Sequence, residues 1–424
     1  MNNNIQITIC FEYFQKIIKL VGAMTGKKKF LLFIFITVCI MAIADIWIYV
    51  FRNEYAHVIR VDGNGYYAYL PAVMIHKDLS FSFLSDTGDF LANGVNRYPI
   101  GVAICWVPFW CIGYLAYFLF SKANTGFGSL YEVLILISGI FYWCVGIICT
   151  YKSLKKLFSE EISLISCVLI TYGTRLFHYA TIDACLSHVY SFALVAILGY
   201  AFIIYVEKKS WGQSLLCGVL LGLITDIRNV NVIVAIIPVT YIISNCISNR
   251  KFDKKLLGNF IFALCGFVIA FFPMMLYWKL SSDQWIFNSY GEWSFDWLHP
   301  HFMQVFWGKD SVSGMLTLSP VLFLLIPGAI GLMRYYRDKS VSLSILICFF
   351  LDLYLISAWW TPASMGRRAY VNYLSIIAFL FGYVVNWIIQ NNILSKKKNI
   401  LINGVIGATV VWNLVQTIHY WLYF

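Results

Sequence analysis

The chain has 424 residues, 60% hydrophobic and only 12% charged, against about 25% charged in soluble domains. Its mean hydropathy is +0.74, which excludes a soluble globular protein and indicates a polytopic membrane protein. The net charge of +11 does not point to nucleic acid. Its basic residues fall in short clusters between apolar runs, where they serve as orientation signals and lipid-headgroup contacts.

In chain order, Phe11, Phe14, Ile17, Ile18 and Val21 have helical spacing beside Lys16 and Lys19. Residues 1–29 are therefore expected to form a cytoplasmic interfacial segment, ahead of a single transmembrane domain over 30–424. Lys27-Lys28-Lys29, an apolar run and Ala42-Ile43-Ala44 imitate a signal peptide. The run continues through Val50, so retention as a membrane anchor is expected.

A spanning helix needs about 20 apolar residues. The candidates are 30–51, 130–150, 162–179, 188–206, 214–227, 230–247, 258–278, 312–333, 341–358, 370–388 and 400–421. Basic clusters at Lys27–Lys29, Lys152/Lys155/Lys156, Lys208/Lys209, Arg250–Lys255, Arg334–Lys339 and Lys396–Lys398 mark the cytoplasmic side. Placing them all inside requires that either 99–120 or 130–150 not cross. The segment 99–120, with Pro99 and Pro108, is expected to lie along the outer interface or to dip and return. The expected fold is all-α, a membrane helix bundle of about 11 spans, with the N-terminus inside and the C-terminus outside. An outer loop with interfacial helices would cover 52–129. The twelve cysteines lie mostly in apolar runs with no CxxC pair and read as small core hydrophobes, not a disulfide set or zinc site.

The first outer loop carries Glu54, Asp62, Asp78, Asp86 and Asp89. It opens Arg60-Val-Asp62-Gly-Asn-Gly-Tyr66-Tyr67-Ala-Tyr-Leu-Pro71. A carboxylate just outside a bilayer, beside glycines and aromatics, suits chemistry on a polar group with a lipid anchor. Asp62 reads as a general base for an acceptor hydroxyl, the bland alternative being a helix cap. Gly63 and Gly65 are expected to allow a tight turn and close backbone approach by a ligand, with the helix starting near Tyr66.

Asp183 lies in a short outer turn, Arg175 to His188, and reads as a second catalytic or acceptor-orienting acid, or as a cap. His178 is the weaker reading there. Arg228, among Asp226, Asn229 and Asn231 at a break between apolar segments, needs an anion. Phosphate is a good fit, with an internal pair to Asp226 as the alternative. Lys309, Arg367 and Arg368 are further candidates for donor phosphate binding, and Tyr66, Tyr67, His188 and Asn231 for substrate binding. Trp285, Trp293 and Trp297 fit an interfacial belt, with a sugar-stacking wall as the alternative.

In these motifs the chain resembles the GT-C superfamily of membrane glycosyltransferases, the group of protein mannosyltransferases and aminoarabinose transferases. The resemblance rests on Asp62 and the aromatics after it, Arg97-Tyr98-Pro99-Ile-Gly101, Asp183 to His188-Val-Tyr190-Ser, Gly222-Leu-Ile-Thr-Asp-Ile-Arg228, and Gly366-Arg-Arg before a span. It implies a lipid-phosphate-sugar-dependent hexosyl or pentosyl transferase with a polyprenyl-phosphate sugar donor. It also implies a lipid, glycan or protein acceptor, inversion at the anomeric carbon, and Asp62 as base. A bacterial plasma membrane with the site facing outside is the implied location. Many relatives carry a second acid beside the first-loop Asp; here Gly63 and Asn64 stand there, which weakens the case for a divalent cation bridged at that point. A flippase for lipid-linked sugars, or a polysaccharide polymerase or ligase, is the alternative reading.

Overall fold

The structure is a computed structural model. It describes residues 22–52, 57–85, 87, 90–120, 124–249, 254–288, 295–308, 314–359, 368–390 and 396–423. Lys309, Arg367, Trp293, most of the expected interfacial segment and the acids Glu54, Asp86 and Asp89 lie outside the described residues.

Helix α1 (Gly26–Ile46) is capped by Thr25, whose side chain accepts from the Lys28 amide, and runs on through a π-turn, Trp47–Arg52. Helix α2 (Asp62–Pro71) follows a residue with an uncommon backbone: Val61 has φ 52°. A β-branched residue with positive φ is strained, and here the strain sits between Arg60 and Asp62. The helix therefore begins at Asp62, not near Tyr66 as the sequence suggested. Gly63 and Gly65 are also not an open approach for a ligand. Both are buried in α2, and a Cβ on Gly63 would lie 2.8 Å from Cys185, while one on Gly65 would meet Tyr98 and Phe90.

The chain between α2 and the next long helix ends in a two-stranded hairpin, β1 (Leu91–Ala92) and β2 (Val95–Asn96), antiparallel with Leu91 opposite Asn96. Asn93 and Gly94 turn it with φ of 51° and 77°, the Asn-Gly signature of a type I′ turn. Asn96 then ties the loop to the bundle. Its amide side chain donates to the Gly65 carbonyl at 2.8 Å, and its backbone N–H donates to Tyr277 Oη at 2.7 Å.

Helix α3 (Gly101–Phe120) departs from expectation. Pro99 precedes it and Pro108 sits inside it, and it remains one continuous helix of 20 residues. It has the length and hydropathy of a membrane span. Its first residue, Gly101, abuts the backbone of Asp226 and Ile227, which seats α3 on the break that carries Arg228.

Next come α4 (Ser129–Leu154), α5 (Glu160–Tyr172), α6 (Leu176–Ala180) and α7 (His188–Lys208). The expected span 162–179 is therefore split near Gly173. Helix α8 (Trp211–Ile227) stops where Arg228 turns extended, and a 3-10 segment, Asn229–Ala235, leads into α9 (Ile236–Asn249). Helix α10 (Lys254–Ser282) is followed by the short α11 (Phe302–Trp307) and α12 (Met315–Leu318). Pro320 opens a 3-10 turn before α13 (Leu325–Tyr335), so 312–333 is not one straight helix either. Asp338 caps α14 (Lys339–Ala358) through the amides of Ser340 and Val341. A 3-10 segment, Arg368–Tyr373, enters α15 (Leu374–Gln390), and α16 (Lys396–Tyr423) ends the chain.

Among the described residues, eight helices are long and apolar enough to cross a membrane. Burial separates the inner ones from the outer. The α7 span and the span ending in α15 are 61% and 72% buried, against 28% for the first span and 22% for that of α10. The outer helices leave Phe35, Ile43, Ile269 and similar side chains exposed, as a lipid-facing surface does. The inner pair carries polar residues at its N-terminal ends, where Arg368 meets Asp62 of α2.

Candidate active site

Asp62 is the first helical residue of α2 and caps nothing. One carboxylate oxygen, Oδ1, accepts from Tyr98 Oη at 3.1 Å, and the other, Oδ2, from Arg368 Nη2 at 2.7 Å. Both side chains are largely buried, 14% exposed for Asp62 and 25% for Arg368. The pair joins the start of α2 to the 3-10 segment before α15, far apart in sequence. Tyr66 packs beside it, its ring centroid 5.1 Å from that of Tyr98. Tyr67 points the other way and is spent on structure, donating to the Gly126 carbonyl and accepting from Trp110 Nε1 at 3.1 Å.

Asp183 is held from both sides. Arg60 Nη2 donates to Oδ1 at 2.6 Å, and His178 Nε2 lies 2.9 Å from Oδ2. Trp421 fixes the tautomer of His178. An indole N–H can only donate, and Trp421 Nε1 is 2.8 Å from His178 Nδ1. Nδ1 is therefore the acceptor, and Nε2 carries the proton given to Asp183. Thus α16 sets the hydrogen bonding of an acid in the turn between α6 and α7. Around Val61 the loop sends two neighbours to opposite partners, Arg60 to Asp183 and Asp62 to Arg368.

Burial alone would raise the Asp183 carboxyl. His178 and Arg60, with Arg368 farther off, more than offset this and hold it well below the usual carboxylate range. A depressed folded value means that the stabilisation is present above the unfolded value, about 3.9, and is lost as pH falls through it towards the folded value. Asp183→Asn is therefore expected to lower stability by about 3 kcal/mol at pH 7. The gap to the native protein should narrow as pH falls below about 5. Unfolding midpoints of the solubilised protein at pH 7 and at about pH 2 check this; an equal deficit at both would rule out a charge effect.

Deeper between α7, α8 and α15 lies a buried polar cluster. Asn231 Nδ2 donates to Ser191 Oγ at 3.0 Å and to the Ile224 carbonyl at 3.4 Å. Its oxygen accepts from Tyr373 Oη at 3.1 Å and Asn372 Nδ2 at 3.2 Å. His188 Nδ1 lies 3.0 Å from Asn372 Oδ1.

Arg228 borders this cluster. Its guanidinium makes one long contact, 3.5 Å to Ser187 Oγ, and no described acid pairs with it. The alternative of an internal pair to Asp226 is not what the structure holds. The Asp226 carboxylate is buried with both oxygens unpartnered among the described residues. Asp352 of α14 lies within the field of Arg228 but forms no ion pair with it.

The three groups adjoin. The charge of Arg368 acts on Asp183 as well as Asp62, and His188 lies in the fields of Arg228 and Arg368. Of the residues singled out from the sequence, Asp62, Asp183, Arg228, Arg368, Tyr66, His188 and Asn231 are brought to one end of the bundle; Tyr67, on the same helix as Asp62, bonds Gly126 and Trp110 instead of joining them. Arg60 and Tyr98 stand in the quoted motifs without an assigned role, and Asn372, Tyr373 and Trp421 carry no local signal, because each acquires its role from a long-range partner. As for a divalent cation, both acids are already engaged by guanidinium groups. Among the described residues no three His, Cys, Asp or Glu side chains converge as ligands. This donor set does not fit a metal.

Comparison with known proteins bears on what such a site belongs to. The family model of dolichyl-phosphate-mannose-protein mannosyltransferases matches residues 106–278. No curated protein sequence matches the chain. Among solved structures, it is similar to the Archaeoglobus fulgidus oligosaccharyltransferase AglB in complex with an inhibitory peptide and a dolichol-phosphate. That match has a TM-score of 0.54 and 10% identity, over 91% of this chain and 56% of that one. The same enzyme in its apo form gives 0.53 and 11%, with the same coverage. ArnT from Cupriavidus metallidurans bound to undecaprenyl phosphate gives 0.49 and 14%, over 83% of this chain and 60% of that one. The chain thus spans less than two thirds of the length of these proteins, and at such identities the likeness is one of fold. The fold is thus similar to that of these membrane glycosyltransferases, and residues 106–278 match the mannosyltransferase family model.

Proposed function

We propose that the chain transfers a sugar from a polyprenyl-phosphate donor to an acceptor hydroxyl at the non-cytoplasmic face of the membrane, with Asp62 as general base. One observation carries this reading. A carboxylate is held by Tyr98 and Arg368, and Arg368 shares the surroundings of His188 with a second arginine, Arg228, that has no ion-pair partner among the described residues. The mannosyltransferase family model and the dolichol-phosphate in the AglB complex support a lipid-phosphate donor. The basic clusters between spans support an outward-facing site.

The chemistry follows from the charges. The acceptor hydroxyl gives its proton to Asp62 as its oxygen bonds to the anomeric carbon. The bond from that carbon to the phosphate oxygen breaks, and polyprenyl phosphate leaves with the bonding electrons. Arg228 meets the charge that develops there, where a planar fork of N–H donors matches phosphate oxygens. Arg368 donates one N–H to Asp62 and has others to offer, so it links the base to the leaving group. Asp183, occupied by Arg60 and His178, orients the acceptor side of the pocket.

The test incubates the purified protein with a panel of radiolabelled polyprenyl-phosphate sugars and hydroxyl-bearing acceptors. Consumption of at least one donor with release of polyprenyl phosphate is expected. If no donor is consumed while the protein moves lipid-linked sugar across reconstituted vesicles, the flippase reading replaces this one.

A further inference from the structure

His188 opens α7 at the junction between the polar cluster and the two arginines, and its fully buried ring leaves Nε2 without a partner among the described residues. What Nε2 can bind is settled by a chain of hydrogen bonds beginning at a peptide carbonyl. The Ile224 carbonyl only accepts, so the Asn231 group facing it is the amide NH2. The Asn231 oxygen then faces Asn372, which must present its own NH2. The Asn372 oxygen is therefore what lies 3.0 Å from His188 Nδ1, and Nδ1 carries the hydrogen. A neutral imidazole has one N–H, so Nε2 is a bare lone pair. The ring lies in the fields of Arg228 and Arg368, so this lone pair sits among cations.

A buried acceptor flanked by cations discriminates between ligands. It repels a phosphate oxygen, which is also an acceptor, and it satisfies a hydroxyl. Arg228 is the nearer cation in effect on the ring, and in the proposed donor the group next to the phosphate is the sugar. We propose that His188 Nε2 accepts a hydrogen bond from a hydroxyl of the donor sugar and so reads that sugar's identity, leaving the phosphate to Arg228. This rests on the lipid-phosphate donor reading above. Asn372 and Asn231 act behind His188 as positioning residues.

The experiment measures equilibrium binding in nanodiscs, without acceptor, so that turnover is not needed. The probes are undecaprenyl phosphate, undecaprenyl-phosphate hexoses, and the 2-, 3-, 4- and 6-deoxy forms of the tightest-binding hexose. In the native protein one deoxy position is expected to weaken binding on the order of tenfold to a hundredfold, the range for leaving a buried polar group unpaired. In His188→Phe that discrimination should collapse to within about twofold, with binding of undecaprenyl phosphate itself retained as proof of an intact phosphate site. His188→Gln, which keeps an acceptor, should restore part of the discrimination.

Deoxy discrimination that persists in His188→Phe would overturn the assignment, as would native binding insensitive to every deoxy position. Equal loss of sugar-bearing and sugar-free lipid would make His188 a phosphate or folding residue, and also sink it. If the native protein binds no undecaprenyl phosphate at all, the donor reading itself fails, a result separable from the others.

Discussion

Asp62→Asn is expected to reduce the rate of sugar transfer by about 10²–10⁴-fold, the range for loss of a positioned general base, while donor binding survives. The substitution is nearly isosteric. Its carbonyl oxygen can still accept from Arg368 or Tyr98, which hold the two carboxylate oxygens at 2.7 and 3.1 Å. What it loses is the capacity to take a proton. Because Arg368 would also lose its counter-ion, the donor phosphate should bind as well as before or more tightly, and the effect should fall on kcat with KM unchanged or lowered. Asp62→Glu separates position from chemistry. It keeps the base but moves it by a methylene, and should retain more activity than Asn. Single-turnover rates and donor affinities for the three proteins check this. A residual rate within tenfold of the native one in Asp62→Asn would remove Asp62 from the base role.

The parts of this site that sequence reading reached are those in which a polar residue interrupts an apolar pattern. Asp62 after the first span, Asp183 in a short turn, and Arg228 at the break between α8 and the 3-10 segment are each costly in a bilayer without a purpose. Composition alone therefore raised them. What the sequence did not show is pairing. Nothing local to Arg60 indicates that it will pass over Asp62 to reach Asp183, or that Arg368, more than 300 positions on, will take Asp62 instead. The strained Val61 decides that exchange, and a positive φ at valine is the last thing propensity would suggest.

Glycine and proline misled for the same reason. Gly63, Gly65 and Pro108 were read by their intrinsic preferences, as a turn and a helix break, whereas packing against Cys185, Tyr98 and Phe90 explains the glycines. Pro108 is absorbed within a continuous helix, as bilayer helices tolerate. Trp421 and Asn372 were invisible because their function is to fix another residue's tautomer.

The second large effect is expected at Arg228. Arg228→Gln should lower kcat/KM on the order of 10²–10³-fold, the size seen when one preorganised donor to a developing anion is removed. Arg228→Lys should recover only part, since an ammonium gives charge without the planar fork. Stability should barely change, because the guanidinium's one hydrogen bond is a 3.5 Å contact to Ser187 and no ion pair is lost. The rival account is that Arg228 exists to neutralise Asp352, which is buried within its field. A double-mutant cycle separates the two. If Arg228 serves Asp352, then Asp352→Asn should rescue Arg228→Gln towards native activity. If Arg228 serves the phosphate, removing Asp352 supplies no cation, and the double variant should stay as inactive as Arg228→Gln alone. Rescue to within about threefold of native kcat/KM would move Arg228 out of the donor site and leave Arg368 as the only described arginine of the site available to the leaving phosphate.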